Sequence, residues 1–524
     1  MKGNRIIRIT AIVLAVLLGC GAVFGALISA LAEASPLTEG VPSQTEAASQ
    51  ANPQALDDSQ VRNRYEISME YLAEEQALRV SQRLVYINRS DDDVDCVVFY
   101  AAGNMFRRKS ALMYESDDLE TVFYAGLAPG GVDIQEVRFN NAPADWGYQG
   151  ENEMYLRVGC QLPAGEQGVF EFEYYLLLTE CAAFQGVGET DVRLSAFYFI
   201  PGVYDAQYGE YNVKKPLPFT RWLYTDAADY DVTAVLPNNY LPAATGEIVL
   251  AGSENGKNTW HISAENVREF AISFGKRYRV REQATDSGVK VRVLSNARGG
   301  DRRTLDAALN AIVQCEEWFG AYPMDGLDIV QSDYPLDSLN FPGVIWISND
   351  LLKSENAEKL AMEIRFCVAQ QYFGLSAYVE PSADAWLSDA LCEYIAYLLL
   401  EAEEGHDRFL KAINADWVDA LQLTIPGGLT VTSDAALFEG DEYELVVKIR
   451  GAVVLHELRE AMGLEAMLDG LRAFYNNGAE VNVLTEMDLV DALDAVSGKS
   501  WEDFLTDWVF NVDEYVNQTI DWFE

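Results

Sequence analysis

The sequence predicts an α+β, multidomain chain: a β-sandwich or saddle domain over residues 63–282, then a mainly α-helical domain over 283–524. Three observations carry this. Apolar and polar residues alternate with period two in Tyr65-Glu-Ile-Ser-Met-Glu-Tyr71, Leu78-Arg-Val-Ser-Gln-Arg-Leu-Val-Tyr86 and Val169-Phe-Glu-Phe-Glu-Tyr-Tyr-Leu176. After about Glu282 the spacing becomes helical, with Leu305, Ala308, Leu309, Ile312 and Val313 forming one stripe. With 524 residues, 49% of them hydrophobic, the chain can bury at least two cores.

In chain order, Lys2, Arg5 and Arg8 precede Ile9 to Ala32, 24 residues without a charge. As a helix this stretch spans about 36 Å, enough for a bilayer core. Basic residues on the short flank favour an inside amino terminus, which puts the body outside the cytoplasm. Residues 1–32 are therefore read as a signal anchor giving a single-pass cell-membrane protein. Cleavage near Ala32 would give a secreted form, and Leu17-Leu-Gly-Cys20 offers a lipidation site at Cys20. Residues 33–62 hold Ser, Gln, Ala, Pro and acidic residues and no aromatic side chain, the composition of a flexible stalk.

Turn signals at Asn88-Arg-Ser-Asp91, Pro129-Gly-Gly131 and Pro237-Asn-Asn239 separate the alternating runs of the β-domain. Helical patterning covers Asp301 to Phe319, Ala357 to Gly374, Ala383 to Glu404 and Glu444 to Met462. The balance of 82 acidic against 38 basic residues, a formal charge of -44, argues against nucleic acid or an anionic membrane surface as a partner, because both would be repelled.

Of seven cysteines, no two form C-x-x-C, which disfavours a sequence-local thiol zinc site. The only histidines are His261, His406 and His456, and no two lie four apart, so an H-E-x-x-H site cannot be built. His456-Glu-Leu-Arg-Glu460 comes within one substitution of that motif.

Four fragments carry a resemblance. They are Phe366-Cys-Val-Ala-Gln-Gln-Tyr-Phe-Gly374, Trp386-Leu-Ser-Asp-Ala-Leu-Cys-Glu-Tyr394, Asp337-Ser-Leu-Asn-Phe-Pro-Gly343 and Val446-Val-Lys-Ile-Arg-Gly-Ala-Val-Val-Leu-His456. In order and spacing they resemble the membrane alanine aminopeptidase family of gluzincin zinc metallopeptidases, over roughly residues 63 to 515. The resemblance implies an aminopeptidase-like β-domain over 63–282 and a thermolysin-like domain over 283–524. It places Phe366 and Gln370 where the two zinc-binding His belong, Cys367 at the base Glu and Asp389 at the third ligand. Asn340 stands at the Glu that holds a substrate's amino terminus, and Lys448 at the transition-state Tyr. In the same frame His456 belongs to a packing helix. Cys367 and Cys392 come onto adjacent helices there, as a bridge, a soft-metal pair or two buried thiols.

The expectation that follows is a protein with the frame of a zinc metalloaminopeptidase, without its catalytic residues and without a cofactor, the zinc site being lost. Its ligand cleft would be formed by Asn340, Phe366, Cys367, Gln370, Asp389 and Lys448, holding a peptide or protein outside the cell. Two alternatives remain: a divergent metal- or thiol-dependent hydrolase, and a structural cell-surface module.

Overall fold

The computed structural model describes residues 62–107, 118–150, 152–217, 221–296, 300–353, 355–422, 428–439, 441–478 and 483–510. The anchor expected at 1–32 and the stalk at 33–62, apart from Arg62, lie outside the described residues. No helix among the described residues is long and apolar enough to cross a membrane.

The first half is built on an eight-stranded sheet. Its strands include β1 (Asn63–Leu72), β2 (Ala77–Ile87), β3 (Gly131–Phe139), β4 (Gln167–Leu177), β5 (Ala228–Pro237), β6 (Glu247–Glu254) and β7 (Lys257–Val267). They run in the order β6-β7-β5-β1-β2-β4-β3, and the two-residue strand Ala142–Pro143 completes the far edge. The β1/β5 pair is parallel and the other pairs are antiparallel. The alternation legible in the sequence sets the faces: Tyr65, Ile67 and Met69 are buried, while Arg64 and Ser68 face solvent. The inner face packs on two four-stranded sheets, with the Phe99 ring 5.2 Å from both Phe170 and Phe172.

The second half opens on a five-stranded sheet of β8 (Arg279–Ala284), β9 (Lys290–Ser295), β10 (Gly326–Ser332), β11 (Ser338–Phe341) and β12 (Val344–Ser348), ordered β8-β9-β10-β12-β11. Helix α1 (Gly300–Phe319) makes the crossover between the parallel strands β9 and β10. This sheet is shared by two cores. Leu339, Phe341, Val344 and Trp346 belong to the core of the β-domain, whereas Ile345 and Ile347 belong to the helical core. Period two on one strand thus joins the halves and turns Asn340 toward the helices.

Helix α2 (Ala357–Tyr372) lies against α1 and α3 (Ala385–Glu404). Its start is capped by the Asn356 side chain, which accepts from the Lys359 backbone N–H. From Ala385 to Leu400 all of α3 but Glu393 is buried, the pattern of a helix at the centre of its domain. Sequence periodicity expects one helix from Glu444 to Met462; instead Glu444–Arg450 is a π-helix that continues as α4 (Gly451–Met462).

Candidate functional site

The β11–β12 connection is a tight turn through Pro342 and Gly343, whose φ of 70° is the left-handed value that glycine accepts after proline. The Gly343 N–H donates to Gln371 Oε1 at 2.8 Å, and Gln371 Nε2 donates to the Phe341 carbonyl at 3.2 Å. These bonds lash the hairpin to α2. Asn340 is thereby set beside the α2 face that carries Phe366, Cys367 and Gln370.

All six residues expected at the cleft meet here, and four side chains form one row. Asn340 Nδ2 donates to Gln370 Oε1, Gln370 Nε2 donates to Asp389 Oδ1 at 2.8 Å, and the Tyr443 hydroxyl donates to Asp389 Oδ2 at 2.7 Å. The Ser388 hydroxyl adds a bond to Asp389 Oδ1 at 3.2 Å. At the other end of the row Asn340 Oδ1 is buried with no hydrogen-bond partner. It is an acceptor with room for one more donor.

Below the row lies a charged group. Lys448 Nζ sits 4.3 Å from the centre of the Phe366 ring, a cation–π contact, and 3.6 Å from Glu393 Oε2. Burial alone would lower the Lys448 pKa, but Glu393, Glu363, Glu444 and Asp389 outweigh it and hold the ammonium above the ordinary lysine value. Burial raises Glu363 and Glu393 above the ordinary glutamate value, helped by Asp337 and Glu444 at Glu363 and by Glu363 and Glu444 at Glu393, while Lys448 opposes the rise at both. Ser338 donates to Glu363, and Cys367 Sγ is 3.2 Å from Ser338 Oγ.

Three of these participants escape the sequence reading. Glu363 and Glu393 lie four residues from Cys367 and Asp389, a helical spacing that could have found them. Tyr443 had no such signal. Five residues separate it from Lys448, an interval that returns to the same face in a π-helix and not in an α-helix.

Nucleophilic chemistry at Cys367 finds little support. Burial and the neighbouring Glu363 raise the thiol well above its ordinary pKa, and no imidazole stands beside it. Cys367 and Cys392 are both free thiols, not a bridge. His456 is buried, faces the Tyr394 hydroxyl at 3.2 Å through Nδ1, and is held neutral by burial and Arg459, its pKa lowered to about 4. His261 lies 3.4 Å from Asp231 and His406 2.6 Å from Glu401, both away from the row.

No family model matches this sequence. It is 25% identical over 246 residues to aminopeptidase M1-B of Oryza sativa subsp. japonica, covering 43% of this chain and 27% of that protein. Against aminopeptidase N of Lactococcus lactis subsp. lactis it is 24% identical over 251 residues, 43% of this chain and 28% of that one. The alignments thus span about a quarter of the length of these curated relatives. Among solved structures, the M1 zinc metallopeptidase from Deinococcus radiodurans superposes with a TM-score of 0.60 at 17% identity, covering 86% of this chain and 94% of that one.

These likenesses correct the expectation of a fold without a cofactor. The similar solved structures are themselves zinc metallopeptidases, so likeness of fold gives no ground for calling the zinc site lost. The expectation rested on a count of imidazoles, which by itself cannot show that a site is lost, because zinc also takes carboxylate ligands. The side chains at the positions that the resemblance gives to the zinc ligands nevertheless do not fit a zinc shell. Phe366 has no donor atom, Gln370 is committed to Asn340 and Asp389, and Asp389 already accepts from three donors. Among the described residues no group of three His, Cys, Asp or Glu side chains is placed to hold a metal ion.

Proposed function

On an aminopeptidase N-like gluzincin frame, we propose that this protein binds a peptide or protein chain in the cleft around Asn340, Gln370, Asp389 and Lys448 and leaves it uncut. The observation that carries this reading is the row from Asn340 to Tyr443. At the positions that the resemblance gives to the family's chemistry, the side chains bond to one another and leave Asn340 Oδ1 buried without a partner, an acceptor that a peptide N–H entering the row would satisfy. Lys448 supplies a fixed positive charge to a chain of -44 overall, which favours a carbonyl or carboxylate of the ligand at that end.

We also propose that Ile9 to Ala32 tethers the body outside the cell membrane, a reading supported by the uncharged 24-residue stretch behind three basic residues. Protease added to intact cells would then shave the β-domain from the surface. A body released only after lysis would contradict the tether.

The cleft reading is tested by calorimetric titration of the full-length chain with a neutral tripeptide. Asn340→Leu, which keeps the branched shape but deletes the Oδ1 acceptor together with the Nδ2 donor to Gln370, is expected to weaken binding by about tenfold or more, the cost of at least one desolvated hydrogen bond. Equal affinity in the wild type and the variant would remove Asn340 from the site. Turnover that depends on added metal or is blocked by thiol reagents would favour the divergent hydrolase instead.

A further inference from the structure

A second concave surface lies away from this cleft. It is a trough of about 470 Å³ on the outer face of the eight-stranded sheet, crossing β5, β1, β2, β4 and β3. Its size falls within the range of small-ligand and peptide sites.

Strand register arranges its lining in two transverse rows. One row runs Asp231, Glu66, Arg83, Glu171, Arg138, each residue directly opposite the next. The adjacent row runs Thr233, Ser68, Ser81, Glu173, Glu136. Three small hydroxyl residues in succession leave the space, and the longer charged side chains wall it. Part of the charge is compensated internally, since Arg83 lies 3.1 Å from Glu66 and Arg138 2.7 Å from Glu136. Among the described residues Glu173 accepts a side-chain hydrogen bond only from Ser81, at 2.6 Å, and Asp231 faces His261 at 3.4 Å. Oε2 of Glu171 is buried and has no hydrogen-bond partner. Burial, with Glu136 and Glu171 nearby, raises the Glu173 pKa, as expected where carboxylates crowd without enough cations.

We propose that this trough docks an extended basic peptide segment lying across the strands. Charge complementarity identifies the occupant, because five carboxylates line the trough against two guanidiniums. Geometry sets its pattern. Neighbouring strands are about 4.8 Å apart, so Asp231 on β5 and the Glu171–Glu173 pair on β4 are separated by about 14 Å. An extended chain rises about 3.3 Å per residue, so basic side chains four residues apart reach both ends, with small residues between them over the hydroxyl floor. This surface shares no residue with the cleft around Asn340, and the proposal does not rest on the cleft reading.

The test is fluorescence anisotropy of two labelled hexapeptides of equal charge, Lys-Ser-Thr-Ser-Lys-Ser and Lys-Lys-Ser-Thr-Ser-Ser, with the full-length chain in low salt. The spaced peptide is expected to bind several-fold more tightly than the clustered one. The double substitution Glu171→Gln, Glu173→Gln should weaken it about tenfold, as for loss of two partly desolvated charge contacts. The control pair Glu465→Gln, Asp491→Asn removes the same charge from exposed positions in the helical domain and should change it less than about twofold. Equal weakening by both pairs would reduce the effect to the general attraction of an acidic protein. No weakening by the trough pair, or no preference between the peptides, would overturn the proposal. Asn340→Leu should leave this binding unchanged, which keeps a failure here separate from a failure at the cleft.

Discussion

Gln370 holds the central place in the row, donating to Asp389 and accepting from Asn340, and both partners are buried. Replacing it with leucine of similar volume removes both bonds and leaves Asp389 Oδ1 short of a donor. Gln370→Leu is therefore expected to lower the unfolding free energy by about 1–3 kcal/mol, read from urea denaturation. An unchanged midpoint would mean that the row is solvated in the folded protein. His456 supplies a pH prediction. Its folded pKa is lowered from 6.5 to about 4, by burial first and then by Arg459. Between those values the unfolded chain binds a proton that the folded chain does not. The stability is thus fully present above about pH 6.5 and drains as pH falls through about 4, by at most ~3 kcal/mol. His456→Phe should flatten that part of the stability-versus-pH curve, and an unaltered slope would refute the assignment.

At the scale of elements, the junction of α2 and α3 depends on Gly374. Its φ is 92°, and a Cβ placed there would lie 2.2 Å from Ser388 Oγ and 2.8 Å from an Arg221 nitrogen. Arg221 donates to the Gly374 carbonyl at 2.7 Å and to Ser388 Oγ at 3.0 Å, which ties the β-domain to the helix carrying Asp389. Gly374→Ala is expected to cost well over about 1 kcal/mol, seen as a lower Tm. A neutral result would show that the junction can yield. Elements of this kind were legible in the sequence to different depths. Period two in β1, β2 and β4 and the stripe of α1 marked the strands and the crossover helix, because one face of each is buried; Val313 alone of that stripe faces solvent, since the helix turns it past the edge of the packed face. The turn at Pro342-Gly343 and the glycine after α2 could be read from chemistry alone. The π-helix could not, since its five-residue interval has no counterpart in α periodicity, and with it went Tyr443. The trough was equally hidden: Glu66, Glu171 and Asp231 look like ordinary solvent-facing positions until strand register lines them up.

For the whole molecule, the fold and the chemistry of the central site are separate questions. The alignment with solved M1 zinc metallopeptidases covers 86% of the chain, so the arrangement of layers belongs to that fold. The histidine count read from the sequence pointed to a fold without a cofactor, and the zinc metallopeptidases of like fold corrected it. Fold alone does not carry an activity, because function lives in the side chains placed on it. Those side chains are amides, a saturated carboxylate and a shared ammonium, and the account built on them is of a cleft that holds a peptide without cutting it. The most direct test incubates the full-length chain with an unlabelled tripeptide and added zinc, isolates the protein, and weighs what remains bound and free by mass spectrometry. The account predicts that intact tripeptide is retained and that no free amino acid appears. Release of the amino-terminal residue, dependent on zinc and abolished by Asp389→Ala, would contradict it.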